Sequence, residues 1–405
     1  MELDKKKRRS LFTLYLTYFA DYFSWGVAIA YLAVYITTDS TPFKTLPWNS
    51  HVALGIACAA FPIGEVIGSP ILGDLSDWMG RKKVLLWGLW GSILSMALCA
   101  FSLWAGSFTL FLIGQFLVGF FAGKQAMVQA SIVESYEKTK GQKLAFLSIL
   151  GGVSWMLGPL LGSLLMEKPF TDYGGYIWPN LLAAFVYVLS LACTHAFFQD
   201  TYEPSGQQLS ALKLFQNMGE IVKMTYKNRL FATFLLNLLG WYLLIVSLSD
   251  FLITRFQLSN AEVGIFNAYF SLCFTIGGVA ATTWIFDRWN AKNILFFSIL
   301  VGSFSLFFLF RANQIIELWL FLAIATVTEA WIYPAFQTVL SDHTSKSDQG
   351  KLFGLIGAAN GACQFVASLI LTGVASSHTI FTAALLFLIS AGLLPLAFGK
   401  KQPVA

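Results

Sequence analysis

The sequence predicts an all-α membrane protein with twelve transmembrane helices in two pseudo-symmetric six-helix bundles. Three observations carry this. The 405 residues are 57% hydrophobic and only 12% charged, whereas soluble domains carry about a quarter charged residues. The chain breaks into twelve apolar runs, and a bilayer core takes roughly 20 apolar residues per helix. The Lys and Arg residues in the connections fall almost wholly on alternate sides, as the positive-inside rule requires.

In the first half the apolar runs lie near 11–36, 52–73, 84–104, 107–132, 144–166 and 177–198. In the second half they lie near 230–253, 262–285, 293–312, 317–340, 352–375 and 379–398. Gly and Pro recur inside them, as membrane helices tolerate. The first run follows the cationic stretch Lys5–Arg9, but it is too long for a signal h-region and lacks a small-residue cleavage site, so no cleavable signal peptide is expected. All five cysteines lie in apolar runs, where they read as small packing residues.

With the N-terminus placed in the cytoplasm, 21 of the 26 Lys and Arg residues fall on the cytoplasmic side. Lys44, Lys168, Arg255 and Arg311 fall outside, and Lys124 lies within the fourth run. Both termini are therefore expected in the cytoplasm. The longest polar connection, 199–229, is read as a cytoplasmic linker between an N-terminal bundle, 1–198, and a C-terminal bundle, 230–405. Within it Leu209–Tyr226 has the apolar spacing of a short interfacial helix. A weak internal repeat supports the division. Gln129–Leu147 meets Gln337–Leu355 at a shift of 208 residues, which sets Glu134 against Asp342, and Leu54-Gly55 and Phe61 meet Val263-Gly264 and Phe270 at a shift of 209.

The most specific string follows the second run: Gly73-Asp74-Leu75-Ser76-Asp77-Trp78-Met79-Gly80-Arg81-Lys82-Lys83. It resembles the signature of the major facilitator superfamily, Gly-x-Leu-(Ser/Ala)-Asp-x-x-Gly-Arg-(Arg/Lys). Gly73 and Gly80 allow close approach and a turn, and Asp77 and Arg81 stand four apart, where opposite charges pair. The resemblance implies a conformational latch formed by Gly73, Asp77, Gly80 and Arg81. The second half keeps a decayed copy, Asp287-Arg288-Trp289-Asn290-Ala291-Lys292. In the fifth run Gly158-Pro159-Leu160-Leu161-Gly162 looks like the antiporter motif of the same superfamily, carried by Gly158, Pro159 and Gly162. Tetracycline and multidrug proton antiporters are the most similar branch. They too place an Asp in the first helix with a Gly five residues on, here Asp21 and Gly26. Exporters of the family carry an Arg in the fourth helix where this chain has Gln115. Lys124 is nine residues further along, roughly 13 Å of helix rise, so it is not a simple substitute.

Four ionisable residues fall well inside the runs: Asp21, Glu65, Lys124 and Glu329. Each costs roughly 2.5–3.5 kcal/mol at the bilayer centre on insertion scales. Burial disfavours the ionised form of a carboxyl, which suits such a group to taking up and releasing protons. Asp21, Glu65 and Glu329 are therefore the proton-coupling candidates, with static interhelical hydrogen bonds as the alternative. Lys124, if near, favours the ionised acid; if close to the cytoplasmic end, it snorkels outward. Polar and aromatic groups expected to line a solute cavity, along with Gln115 and Lys124, are Tyr22, Trp25, Tyr31, Gln125, Gln129, Asn237, Trp241, Tyr242, Asn267, Trp331, Tyr333, Gln337, Asn360 and Gln364. For any single aromatic, lipid contact or core packing competes with that role.

The four His are scattered, with no metal-ligand spacing, and no Gly-rich phosphate loop ends in Lys-Ser or Lys-Thr. No cofactor, metal, nucleic-acid partner or enzymatic activity is expected. The expected partners are a small organic solute, protons and the bilayer, with the chain monomeric in a bacterial inner membrane. The expected function is alternating access at a midplane site, with proton-coupled export of a drug-like molecule or metabolite. Proton-coupled uptake of a nutrient or siderophore is the second reading, and a ligand receptor derived from a transporter is the third.

Overall fold

A computed structural model of the chain describes residues 2–37, 43, 50–165, 177–200, 229–258, 260–345, 348–373 and 376–398. The first half contains α1 (Glu2–Thr37), α2 (Ser50–Met79), α3 (Arg81–Ala105), α4 (Phe108–Ala122), α5 (Gln125–Ser135), α6 (Lys140–Leu164) and α7 (Trp178–Phe197). The second contains α8 (Arg229–Phe256), α9 (Asn260–Ala280), a π-turn (Ala281–Ile285), α10 (Phe286–Arg288), α11 (Ala291–Arg311), α12 (Ile315–Asp342), α13 (Gln349–Gly373) and α14 (Ser376–Phe398). No strand occurs among the described residues.

Eleven segments among the described residues are long and apolar enough to cross a membrane, with α4 and α5 counting as one and α9 continuing through the π-turn into α10. They correspond to the second through twelfth runs. The first run is α1, 36 residues long with Asp21 within it. The expected linker falls almost entirely outside the described residues, as does the interfacial helix Leu209–Tyr226, and so does the side chain of Tyr31.

The outward faces explain the composition. On α3 the exposed large apolar residues are Trp87, Trp90, Leu94, Phe101 and Trp104, a stripe at helical spacing. Its opposite face buries Gly88, Leu89, Ser92, Ser95 and Cys99. A large apolar stripe turned outward is unfavourable in water and natural against lipid. The fourth run, long enough for a single span, is nevertheless not one straight helix. It breaks at Gly123-Lys124, between α4 and α5.

The chain forms two compact units. The first comprises Met1–Ser135, Ser154–Phe215 and Lys346–Gly361; the second comprises Tyr136–Val153, Gln216–Ser345 and Ala362–Ala405. In the first unit α2 packs on α4 with backbones touching: a Cβ at Gly64 would stand 2.0 Å from the Phe116 carbonyl oxygen. Without a hydrophobic drive between helices in lipid, such small-residue contacts carry the association. The start of α13 lies along α2 in this unit, with Gly354 against Ser69 and Gly361 against Pro62. In the second unit the start of α6 lies along α9, with Gly152 against Thr275 and Gly278 against Ile149. Since α6 meets α13 and α2 meets α9 under the internal repeat, one kind of contact is made twice.

Candidate functional site

In the first unit, the break after α4 places Lys124 inside the bundle. Its side chain is fully buried. The stem passes Gly88 of α3, where an added Cβ would come within 2.9 Å of the Lys124 Cβ. The ammonium then uses all three of its donors. Nζ lies 2.5 Å from Asp21 Oδ1 of α1, 2.8 Å from Ser92 Oγ of α3 and 3.2 Å from the Phe121 carbonyl. Tyr187 of α7 donates from its hydroxyl to the same Asp21 oxygen at 2.8 Å, and Ser24 Oγ stands 2.7 Å from that hydroxyl. The Lys124 nitrogen also sits 4.8 Å from the Tyr187 ring centroid. Lys124 therefore does not snorkel towards the cytoplasm; it is the internal counter-charge of Asp21. The second oxygen, Asp21 Oδ2, has no hydrogen-bond partner among the described residues.

Glu65 of α2 has a different setting. It is half-buried and forms no ion pair among the described residues. One turn before it, Phe61 lies 6.1 Å from Trp25 of α1, and Trp25 meets Trp155 of α6 edge-on at 4.3 Å. Tyr22, one residue on from Asp21, packs against Tyr18 at 4.6 Å. Gln115 and Gln129 are buried in α4 and α5, and Gln125 is half-buried at the start of α5. Asn360 of α13 donates to its own helix at Ile356, 3.0 Å away.

In the second unit, Glu329 of α12 is buried, and its Oε2 has no hydrogen-bond partner among the described residues. The same holds for Asn237 Nδ2 of α8 and Gln337 Nε2 of α12. Trp241 of α8 stacks on Phe270 and Phe274 of α9, at 5.3 and 6.1 Å. Tyr333 stands 6.1 Å from Phe234 of α8. The Trp331 indole donates to the Gly277 carbonyl at 2.8 Å, which ties α12 to α9. Asn267 is exposed and reaches Ser249 Oγ at 3.4 Å. Tyr242 and Gln364 are half-buried.

The signature string forms an ion network. Arg81, almost fully buried, meets Asp77 Oδ1 at 2.5 Å and Glu134 Oε1 at 2.7 Å. Asp77 Oδ2 accepts from the backbone N–H of Lys351 at 2.9 Å, in the first turn of α13. A carboxylate there satisfies free helix N–H groups and faces the positive end of the helix dipole. The second unit has related contacts at the start of α6. Gln142 donates to Asp287, and Lys140 meets Asp342 Oδ1 at 2.5 Å. Gly73 abuts the Gly350 carbonyl, and Gly80 takes φ 95°, a conformation glycine adopts without strain. In α6, Gly158 and Pro159 press against Gly26 of α1: a Cβ at Gly158 would stand 2.9 Å from the Gly26 Cα.

Sequence reasoning missed Tyr187, Ser24 and Ser92 around Asp21, and Glu134 beside Arg81. Glu134 carried a signal, because the internal repeat set it against Asp342 and both close their runs. Among the described residues no three His, Cys, Asp or Glu side chains gather as metal ligands would.

The family model described as Major Facilitator Superfamily matches residues 14–365 and 230–404. A tetracycline resistance protein, class H, of Pasteurella multocida is 26% identical over 353 residues, which cover 83% of this chain and 83% of that protein. Among solved structures, the human organic anion transporter MFSD10 (TETRAN) superposes with a TM-score of 0.76 at 18% identity, covering 96% of this chain and 99% of that one. The proton:xylose symporter XylE superposes with a TM-score of 0.75 at 13% identity, covering 96% of each. At such identities the structures establish a shared fold. By the match along its length, the chain belongs to the Major Facilitator Superfamily: it is an integral membrane transporter and not an enzyme.

Proposed function

We propose that this chain is a secondary active transporter that exports a small organic solute in exchange for protons, by alternating access. The observation that carries the reading is the contrast between two acids of the first unit. Asp21 is held by Lys124 and Tyr187 in a charge-balanced network. Glu65 is half-buried, without an ion-pair partner among the described residues, and it stands one turn from the aromatic group of Trp25, Phe61 and Trp155. A carboxyl so placed exchanges protons with water while a neighbouring aromatic surface receives an amphipathic solute. In this reading Glu65 is the main proton carrier. Asp21 couples to it through Lys124, and Glu329 is a further acid of the second half.

The Gly158-Pro159-x-x-Gly162 motif of α6 and the likeness to a tetracycline resistance protein support the export direction. The cation distribution supports cytoplasmic termini, and the likeness to a bacterial tetracycline resistance protein supports a bacterial inner membrane. The working architecture is two bundles, 1–198 and 230–405, joined by the linker 199–229, in a monomer. The contact of Asp77 with the first turn of α13 supports a latch role for Gly73, Asp77, Gly80 and Arg81. The test uses purified protein in liposomes with a trapped pH dye. A panel of amphipathic cations, anions and siderophores is added to wild type, Glu65→Gln and Asp21→Asn. Proton movement driven by a solute, and lost in the variants, supports the exchange; its sign separates export from uptake. Saturable binding without accumulation supports a receptor instead.

A further inference from the structure

The second unit contains an acid with no internal partner and an aromatic platform at its level. Phe234 of α8 contacts both Tyr333 and Phe336 of α12, at 6.1 and 5.4 Å. Glu329 lies one turn before Tyr333 and two turns before Phe336, on the stripe that faces α8. Asn237 and Trp241 follow Phe234 by three and seven residues, on the stripe of α8 that faces back. The register is set through α14. Phe387 abuts Gly240 of α8 and Gly302 of α11, and Gly302 abuts Thr328 of α12. Gly240 and Thr328 are thus level, which puts Trp241 and Glu329 at one height.

The charge around this point is one-sided. On α8 no Asp, Glu, Lys or Arg occurs between Arg229 and Asp250, and on α9 with its continuation none occurs between Glu262 and Asp287. None occurs on α11 between Lys292 and Arg311, and α14 has none at all. On α12 Glu329 is the single charge between Glu317 and Asp342. A buried carboxylate without a counter-charge is unfavourable. Either a proton neutralises it or a cation that comes from outside the protein does. On the facing stripe of α8, Asn237 Nδ2 is a spare donor. Trp241 is half-buried and stacked on Phe270 and Phe274, so part of this aromatic platform stays uncovered. A negative group next to stacked aromatic faces is the recognition chemistry of an organic cation.

We propose that Glu329, Asn237 and Trp241 form the recognition site for an organic monocation with an aromatic or other apolar body. Glu329 balances the charge, the Trp241 platform receives the body, and Asn237 donates to an acceptor on the ligand. This rests on the transport reading above and names the substrate class for it. In the first unit the equivalent chemistry at Asp21 is closed, because Lys124 already occupies that carboxylate.

The test is equilibrium binding of radiolabelled tetraphenylphosphonium to the purified full chain in detergent, with tetraphenylborate as the anion of the same shape. Wild type should bind the cation saturably. Glu329→Gln should weaken it about tenfold or more, as expected for loss of a charge-assisted contact, and should leave borate binding unchanged. Glu329→Asp should keep the cation within a few-fold, and Trp241→Ala should weaken it with the carboxyl intact. These two variants decide the matter if Glu329→Gln does not fold. No saturable cation binding by wild type overturns the proposal, as does equal binding by wild type and Glu329→Gln or, if Glu329→Gln does not fold, equal binding by wild type and Trp241→Ala. Binding is read without a gradient, so it is separate from proton coupling. Glu329-dependent binding without proton movement in liposomes sinks the exchange reading and leaves this one standing.

Discussion

Asp21 and Glu329 are both buried acids in the middle of helices, and their surroundings are opposite. Asp21 meets an ammonium at 2.5 Å and a phenol at 2.8 Å. Glu329 has no charged neighbour along the described helices of its unit and keeps an oxygen without a partner. The difference teaches that an intramembrane acid is not a function in itself. A compensated acid is part of the scaffold or of a relay, and an uncompensated one needs something from outside the protein. Glu65, half-buried and without an ion-pair partner among the described residues, lies between these extremes.

The contrast can be broken by removing its charges one at a time. The largest effect is expected from Lys124→Met, which leaves Asp21 buried and unpaired. Thermal unfolding in detergent should show a loss of about 3–5 kcal/mol, in line with broken buried pairs. Adding Asp21→Leu to that variant should recover much of the loss; a double variant as unstable as the single one would mean the pair is not the cause. Next comes Gly88→Ala. Its Cβ would meet the Lys124 stem at 2.9 Å, and overpacking of this kind costs about 1–3 kcal/mol. If the variant melts like wild type, the Lys124 stem has room that the geometry denies it. Tyr187→Phe removes a single donor from the Asp21 carboxylate, and melting should report about 1.5–3 kcal/mol at most. The smallest effect is expected from Glu329→Gln, because no partner is stranded. Its melting should stay within about 1 kcal/mol of wild type or rise slightly; a large loss would reveal a partner for Glu329 and end the contrast.

Much of the architecture was legible in the sequence, because lipid imposes a length of apolar chain on every span and the cations mark the sides. What the chain does inside a span was not legible. The run 107–132 has the length of a single span despite Gln115, Lys124, Gln125 and Gln129, and that length did not announce the break at Gly123-Lys124. Whether Lys124 pairs with an acid or snorkels stayed open in the sequence because its partner lies 103 residues away. Tyr187 is one of 14 tyrosines, set in an ordinary apolar run, and only packing of α1 against α7 brings it to Asp21. Asp77 and Arg81 were legible as a pair because they are neighbours on one stretch of chain. Glu134, which completes their network, comes from another helix. Local patterns were visible in the sequence and contacts between distant helices were not, which is why the acids were found and their opposite environments were missed.

Under the proposed exchange, protons move through Glu65, an uncompensated acid of the first half. The direct test is solute-driven pH change in liposomes loaded with a pH dye, for wild type and Glu65→Gln. Wild type should give a signal that Glu65→Gln abolishes while the variant still binds solute. Solute transport without any pH change, or an equal pH change in both proteins, would contradict it.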